Sequence, residues 1–103
     1  MPILIGRLET EHGQKYLVQL CKHFAHKIEA SWSDDHGRVD FVYGPAVMTA
    51  DPLGLTVRFD VDDLGHVEDA KSVIDRHLAR FAHREGIEGL IWTETGPEGA
   101  DTP

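Results

Sequence analysis

Between Leu53 and Val61 every second residue is apolar. Leu53, Leu55, Val57, Phe59 and Val61 fall on one side of an extended chain, and Gly54, Thr56, Arg58 and Asp60 on the other. A helix would scatter these residues around its axis. A strand of a parallel sheet, covered on both faces, would be apolar throughout. The segment therefore predicts an antiparallel sheet with one covered face and one polar face.

Other segments have the same character. Pro2 to Leu8 is short and rich in Ile and Leu. Ile28 to Trp32 alternates. Arg38 to Tyr43 puts Val39, Phe41 and Tyr43 together, and Ala46 to Ala50 puts Ala46, Met48 and Ala50 together. Turn residues separate them at Asp34–Gly37, Gly44-Pro45 and Asp51-Pro52. The last four of these strands in chain order form a meander.

Two helical stripes supply the cover. From Gln14 to Ile28 the apolar residues are Tyr16, Leu17, Leu20, Cys21, Phe24 and Ile28, with Thr10 as N-cap. From Asp63 or Leu64 to Arg84 they are Leu64, Val67, Ala70, Ile74, Leu78 and Phe81, with Gly86 as the helix-ending glycine. Glu88 to Thr93 offers a last strand, with Leu90 and Trp92 on one face. The order is β-α-β-β-β-β-α, with a final β: an α+β two-layer sandwich, an antiparallel sheet with two helices on one face. This order is similar to one half of the TATA-binding-protein-like fold, a likeness of topology that carries no DNA function. Residues 1–94 form the single domain. Residues 95–103 lack any bulky apolar side chain and are expected to be a disordered acidic tail.

Charge and cysteine content exclude several functions. Ten Lys and Arg against eighteen Asp and Glu give 10 − 18 = −8, which repels a phosphate backbone. No nucleic-acid partner is expected. A single cysteine, Cys21, makes no intrachain disulfide and cannot supply a two-cysteine zinc site. No stretch approaches the roughly 20 apolar residues of a membrane span, and no charged leader precedes the first strand, so the expected address is cytoplasmic.

Seven histidines are many for 103 residues. His23-Phe-Ala-His26 is an HxxH, whose i, i+3 spacing lets two imidazoles meet one metal. On the helical wheel His23 lies at the border of its stripe and His26 in solvent, so a pair of surface histidines is the plainer reading. His77 lies at the border of the second stripe, where a rim histidine bonded to a carbonyl or carboxylate is expected. His83 points away. His23 and His77 together define a small polar site, with Asp75 and Arg76 as local companions. Cys21 belongs to the core; His12, His36 and His66 belong to the surface. The polar sheet face carries Arg38, Asp40, Thr49, Thr56, Arg58 and Asp60, read as a salt-bridged solvated face or as a platform for a ligand or a second copy. There is no GxGxxG, P-loop or GxSxG, so no catalytic residue and no cofactor is named.

Three segments resemble one family. Leu20-Cys-Lys-His-Phe-Ala-His-Lys27, Gly37-Arg-Val-Asp-Phe41, and His77-Leu-Ala-Arg-Phe-Ala-His-Arg-Glu85 followed by Trp92 look like the small bacterial proteins called domain of unknown function 2218. The resemblance runs from about Ile3 to Thr93 and implies a bacterial protein without an assigned activity. It carries over His23, Lys27 and His77 as ligand-binding candidates. It also implies a link to iron or siderophore metabolism, with a siderophore-interacting flavin reductase or a small iron-containing ligand as partner. Three functions follow as expectations: a non-catalytic binding or accessory domain, a structural homodimer formed through the open sheet face, and a small enzyme acting through His23 and His77.

Overall fold

The computed structural model describes residues 2–82 and 85–95. Among the described residues the elements run in order: β1 (Ile3–Glu9), α1 (Gly13–Phe24), β2 (Ala30–Trp32), β3 (His36–Phe41), β4 (Gly44–Asp51), β5 (Gly54–Asp60), a 3-10 turn (Leu64–His66), α2 (Val67–Ala82) and β6 (Ile91–Thr95). The strands form one antiparallel sheet in the order β2-β3-β4-β5-β1-β6. The expected α+β sandwich is present, with the sixth strand added at the outer edge of β1.

The alternation works as read. Leu55, Val57 and Phe59 are fully buried, as are Leu4, Val39, Ala46 and Met48 on neighbouring strands. The stripes of α1 (Tyr16, Leu17, Leu20, Cys21, Phe24) and α2 (Val67, Ala70, Ile74, Leu78) close over that face in one cluster. The other face is held by ion pairs. Arg38 reaches Asp40 at 2.9 Å, Arg58 reaches Asp60 at 2.9 Å, and Arg7 bonds Thr56 at 2.8 Å and Asp51 at 3.2 Å. The salt bridges expected on this face are present.

Several boundaries move, each for a local reason. The first helix ends at Phe24, not Ile28: beyond it the His26 and Lys27 amides bond only three residues back, to the His23 and Phe24 carbonyls, and the chain tightens into turns. Thr10 is not the N-cap. His12 holds that position and makes no side-chain cap, while Thr10 accepts the His12 N–H. Leu53 is 72% exposed, although the alternation puts it on the core face. The Asp51 carboxylate accepts the N–H groups of Leu53 and Gly54 and bends the chain into a turn there. Leu64 is 75% exposed because the 3-10 turn, held by Asp63, rotates it off the stripe. The third strand begins at His36 and the fourth at Gly44, so both absorb residues read as turns. Gly44 has φ +135°, and the Asp60 carbonyl stands where its Cβ would be. The last strand starts at Ile91 rather than Glu88 and includes Thr95, which pairs with Ile3. The rest of the expected tail, 96–103, lies outside the described residues.

Candidate functional site

The apolar stripe of α1 sets His23 at the edge of the core, one residue before buried Phe24. The chain then turns, so that Lys27 and Ile28 stand beside Phe24. From the opposite side α2 presents Val73 and His77, four residues apart on one face. The turn from β3 into β4 closes the end with Phe41, Val42 and Tyr43. These three segments surround an open cleft of about 300 Å³, whose wall is mostly apolar. All three ligand-binding candidates, His23, Lys27 and His77, line it.

The two imidazoles are neighbours. Their ring centroids are 4.6 Å apart with a tilt of 46° between planes. His23 also meets Phe24 and Phe81 edge-on, and His77 meets Phe24 edge-on at 4.9 Å. Phe24 continues to Phe41 at 4.8 Å, and Phe41 stacks on Phe59 at 5.2 Å. The histidines therefore end a row of aromatic rings that runs into the core.

His77 Nδ1 lies 2.6 Å from the Val73 carbonyl. A carbonyl oxygen can only accept, so Nδ1 carries the hydrogen and donates it. In the neutral ring Nε2 then holds the lone pair. The expected rim histidine bonded to a backbone carbonyl is what stands here. His23 is pushed below the ordinary histidine value by partial burial first, and then by the positive charges of His77, Arg80, His26 and Lys27. Every charge acting on it among the described residues is cationic. Lys27 forms no ion pair among the described residues. In a chain with a net charge of −8, the described lining of this cleft holds the Lys27 ammonium and no carboxylate.

Other expectations are redistributed. Asp75 and Arg76 do not accompany the histidines. Asp75 accepts from the Leu90 amide and the Trp92 indole, and Arg76 bonds Ser72. His26 lies past the end of α1, exposed, and does not line the cleft. No group of three or more His, Cys, Asp and Glu side chains among the described residues is placed to hold a metal. Cys21 is fully buried, and burial pushes its thiol up to about 11. It is a packing group, not an activated nucleophile. His12 and His36 are exposed, and His66 pairs with Asp62. His83 lies outside the described residues. Phe41, Val42 and Tyr43 join the site although no motif marks them; the one sign in the sequence is an apolar Val42 beside the Gly44-Pro45 turn.

The fold is similar to that of a solved protein, the NMR structure of PA4090 from Pseudomonas aeruginosa. The two share 27% identity with a TM-score of 0.73, and the match covers 90% of this chain and 96% of that one. No curated protein matches the chain. No helix among the described residues is long and apolar enough to cross a membrane. Residues 6–93 match the profile of a family described as uncharacterised proteins conserved in bacteria, and the chain belongs to that family, DUF2218.

Proposed function

We propose that this protein is a non-catalytic binding domain that takes a small molecule in the cleft between α1, α2 and the β3–β4 turn. The observation that carries the reading is the convergence of His23, Lys27 and His77 on one apolar cleft. Ligand sites are concave and mostly apolar, with a few placed polar groups. About 300 Å³ is at the small end of such sites, room for one or two rings. His77 is held by Val73, and His23 is held by packing, so both are oriented before a ligand arrives.

The enzyme reading has less support. Cys21 is buried, and His77 is oriented by a neutral carbonyl rather than by a carboxylate. The homodimer reading needs an apolar patch on the open sheet face, where Arg38–Asp40, Arg58–Asp60 and Arg7–Asp51 pairs stand instead.

The link to iron and siderophores that the family resemblance implies becomes a choice of ligand here. The test is a titration with Fe(II), Fe(III), Zn(II), haem and a ferric siderophore, alongside a panel of small aromatic compounds, followed by amide resonances. Shifts centred on His23, Phe24, Lys27, Val42, Tyr43 and His77 are expected from at least one compound. His23→Ala and His77→Ala should each weaken its binding by about tenfold or more, and His26→Ala by less than about twofold. Binding that survived both substitutions would end the reading.

A further inference from the structure

The charges of the cleft specify its ligand more narrowly than its shape does. A cationic or metal-containing ligand suits the overall charge of −8, but the described lining of the cleft carries Lys27 and no acid. The groups facing His23 are His77 and Arg80 from α2 and His26 and Lys27 from its own side; its other packed neighbours are the rings of Phe24 and Phe81. No carboxylate lines the cleft among the described residues. An anion entering it meets the Lys27 ammonium and, in His23, an imidazole that can take up a proton, with no carboxylate in the described lining to compete. Beside these groups the wall is aromatic, with Phe24, Phe41 and Tyr43 presenting a surface suited to a flat ring.

We propose that the cleft takes aromatic carboxylates together with a proton on His23. The carboxylate sits between the Lys27 ammonium and the His23 imidazolium, and the ring lies against Phe24, Phe41 and Tyr43. The inference rests on the binding reading above and gives it a ligand class. Partial burial against a second imidazole 4.6 Å away, with Lys27 in the same lining, makes a charged His23 costly in the empty cleft. An anion removes that cost, so binding draws a proton from solvent, and by linkage a lower pH strengthens binding. His77 stays tied to Val73 through Nδ1, so in the neutral ring its Nε2 can only accept and the carboxylate takes its hydrogen bond from His23.

The experiment uses the whole chain and four probes: benzoate, neutral benzamide, cationic benzylamine and non-aromatic acetate. Amide shifts give the affinity of each, and imidazole resonances give the His23 titration. Benzoate should bind about tenfold or more tighter than benzamide and acetate, with benzylamine weakest. Its affinity should rise by about tenfold between about pH 7.5 and pH 5.5, where it stays ionised, and His23 should titrate at higher pH when benzoate is bound. Lys27→Met changes an exposed residue and should weaken benzoate by about tenfold at both pH values. His23→Gln should abolish the pH dependence, with the thermal transition recorded to show that the variant is folded. Benzamide binding as tightly as benzoate, or a benzoate affinity indifferent to pH, would overturn this proposal and leave the cleft as a neutral ligand site. Cleft resonances that respond to none of the four probes would overturn it too. The binding reading itself fails only if no compound of the broader panel perturbs those resonances.

Discussion

The Trp92 indole N–H lies 3.0 Å from both carboxylate oxygens of Asp75, so one acid on α2 holds the last strand from behind. The same carboxylate accepts the Leu90 amide at 2.9 Å. β6 pairs with β1 along one edge alone, and this bracket ties the start of the strand to the helix layer. Hydrogen bonds to a charged acceptor are stronger than neutral ones.

Asp75→Ala should therefore destabilise the protein by about 2–4 kcal/mol, through two unpaired donors and the lost charge-assisted bonds. Trp92 fluorescence should shift to the red as the ring gains water. Chemical denaturation checks both. A loss of only a few tenths would show that the bracket does not hold β6.

His66 Nδ1 and Asp62 Oδ1 are 2.8 Å apart, and that bond lifts the His66 imidazole above its ordinary value of 6.5. A histidine whose folded value is raised binds its proton more tightly when folded. The stability it adds is complete below the unfolded value and is lost as pH rises through the folded value. Imidazole NMR should find His66 titrating above 6.5, and Asp62→Asn should bring it down toward that value.

His23 behaves in the opposite sense. Its value is lowered, so the folded state binds that proton less tightly than the unfolded chain does. Its contribution is present above the unfolded value of 6.5 and is lost as pH falls through it toward the lowered folded value. In His23→Gln the melting temperature should fall less between about pH 7 and pH 5 than in the parent. An equal fall in both would show that His23 is not strained by its neighbours.

A Cβ added at Gly37 would stand 2.7 Å from Cys21 Sγ and 3.3 Å from Leu17 Cδ2. Gly37 is the point where α1 rests on β3. Gly37→Ala should cost about 1–3 kcal/mol by overpacking. Adding Cys21→Ala removes the sulfur in the way, so the double variant should lose less than the sum of the two single variants. A strictly additive cycle would show that the contact is not the source of the cost.

Leu78 is fully buried between α2 and the sheet. Leu78→Ala should cost about 2–5 kcal/mol, since two stiff layers cannot close the hole. Thermal denaturation reads this directly.

Much of the architecture was legible in the chain because alternation and helical spacing are local. They state which side of its own element a residue occupies. That was enough to put Leu55, Val57 and Phe59 inside, and to set His23 and His77 at the borders of their helices rather than in solvent. The same rule misplaced Leu53 and Leu64, where a turn held by Asp51 and a 3-10 turn held by Asp63 carry the chain out of the repeat.

What touches what was decided only by the tertiary structure. Asp75 stands two residues before His77 yet serves Trp92, 17 positions along, because a two-residue step on a helix turns a side chain to another face. Phe41, Val42 and Tyr43 complete the cleft from a β-turn that no periodicity of α1 or α2 foretells. Periodicity fixes directions about one axis. A site shared by three segments depends on how separate axes come to rest on one sheet, and that is set by packing, here by the close seat of Cys21 on Gly37 and the burial of Phe24 and Leu78.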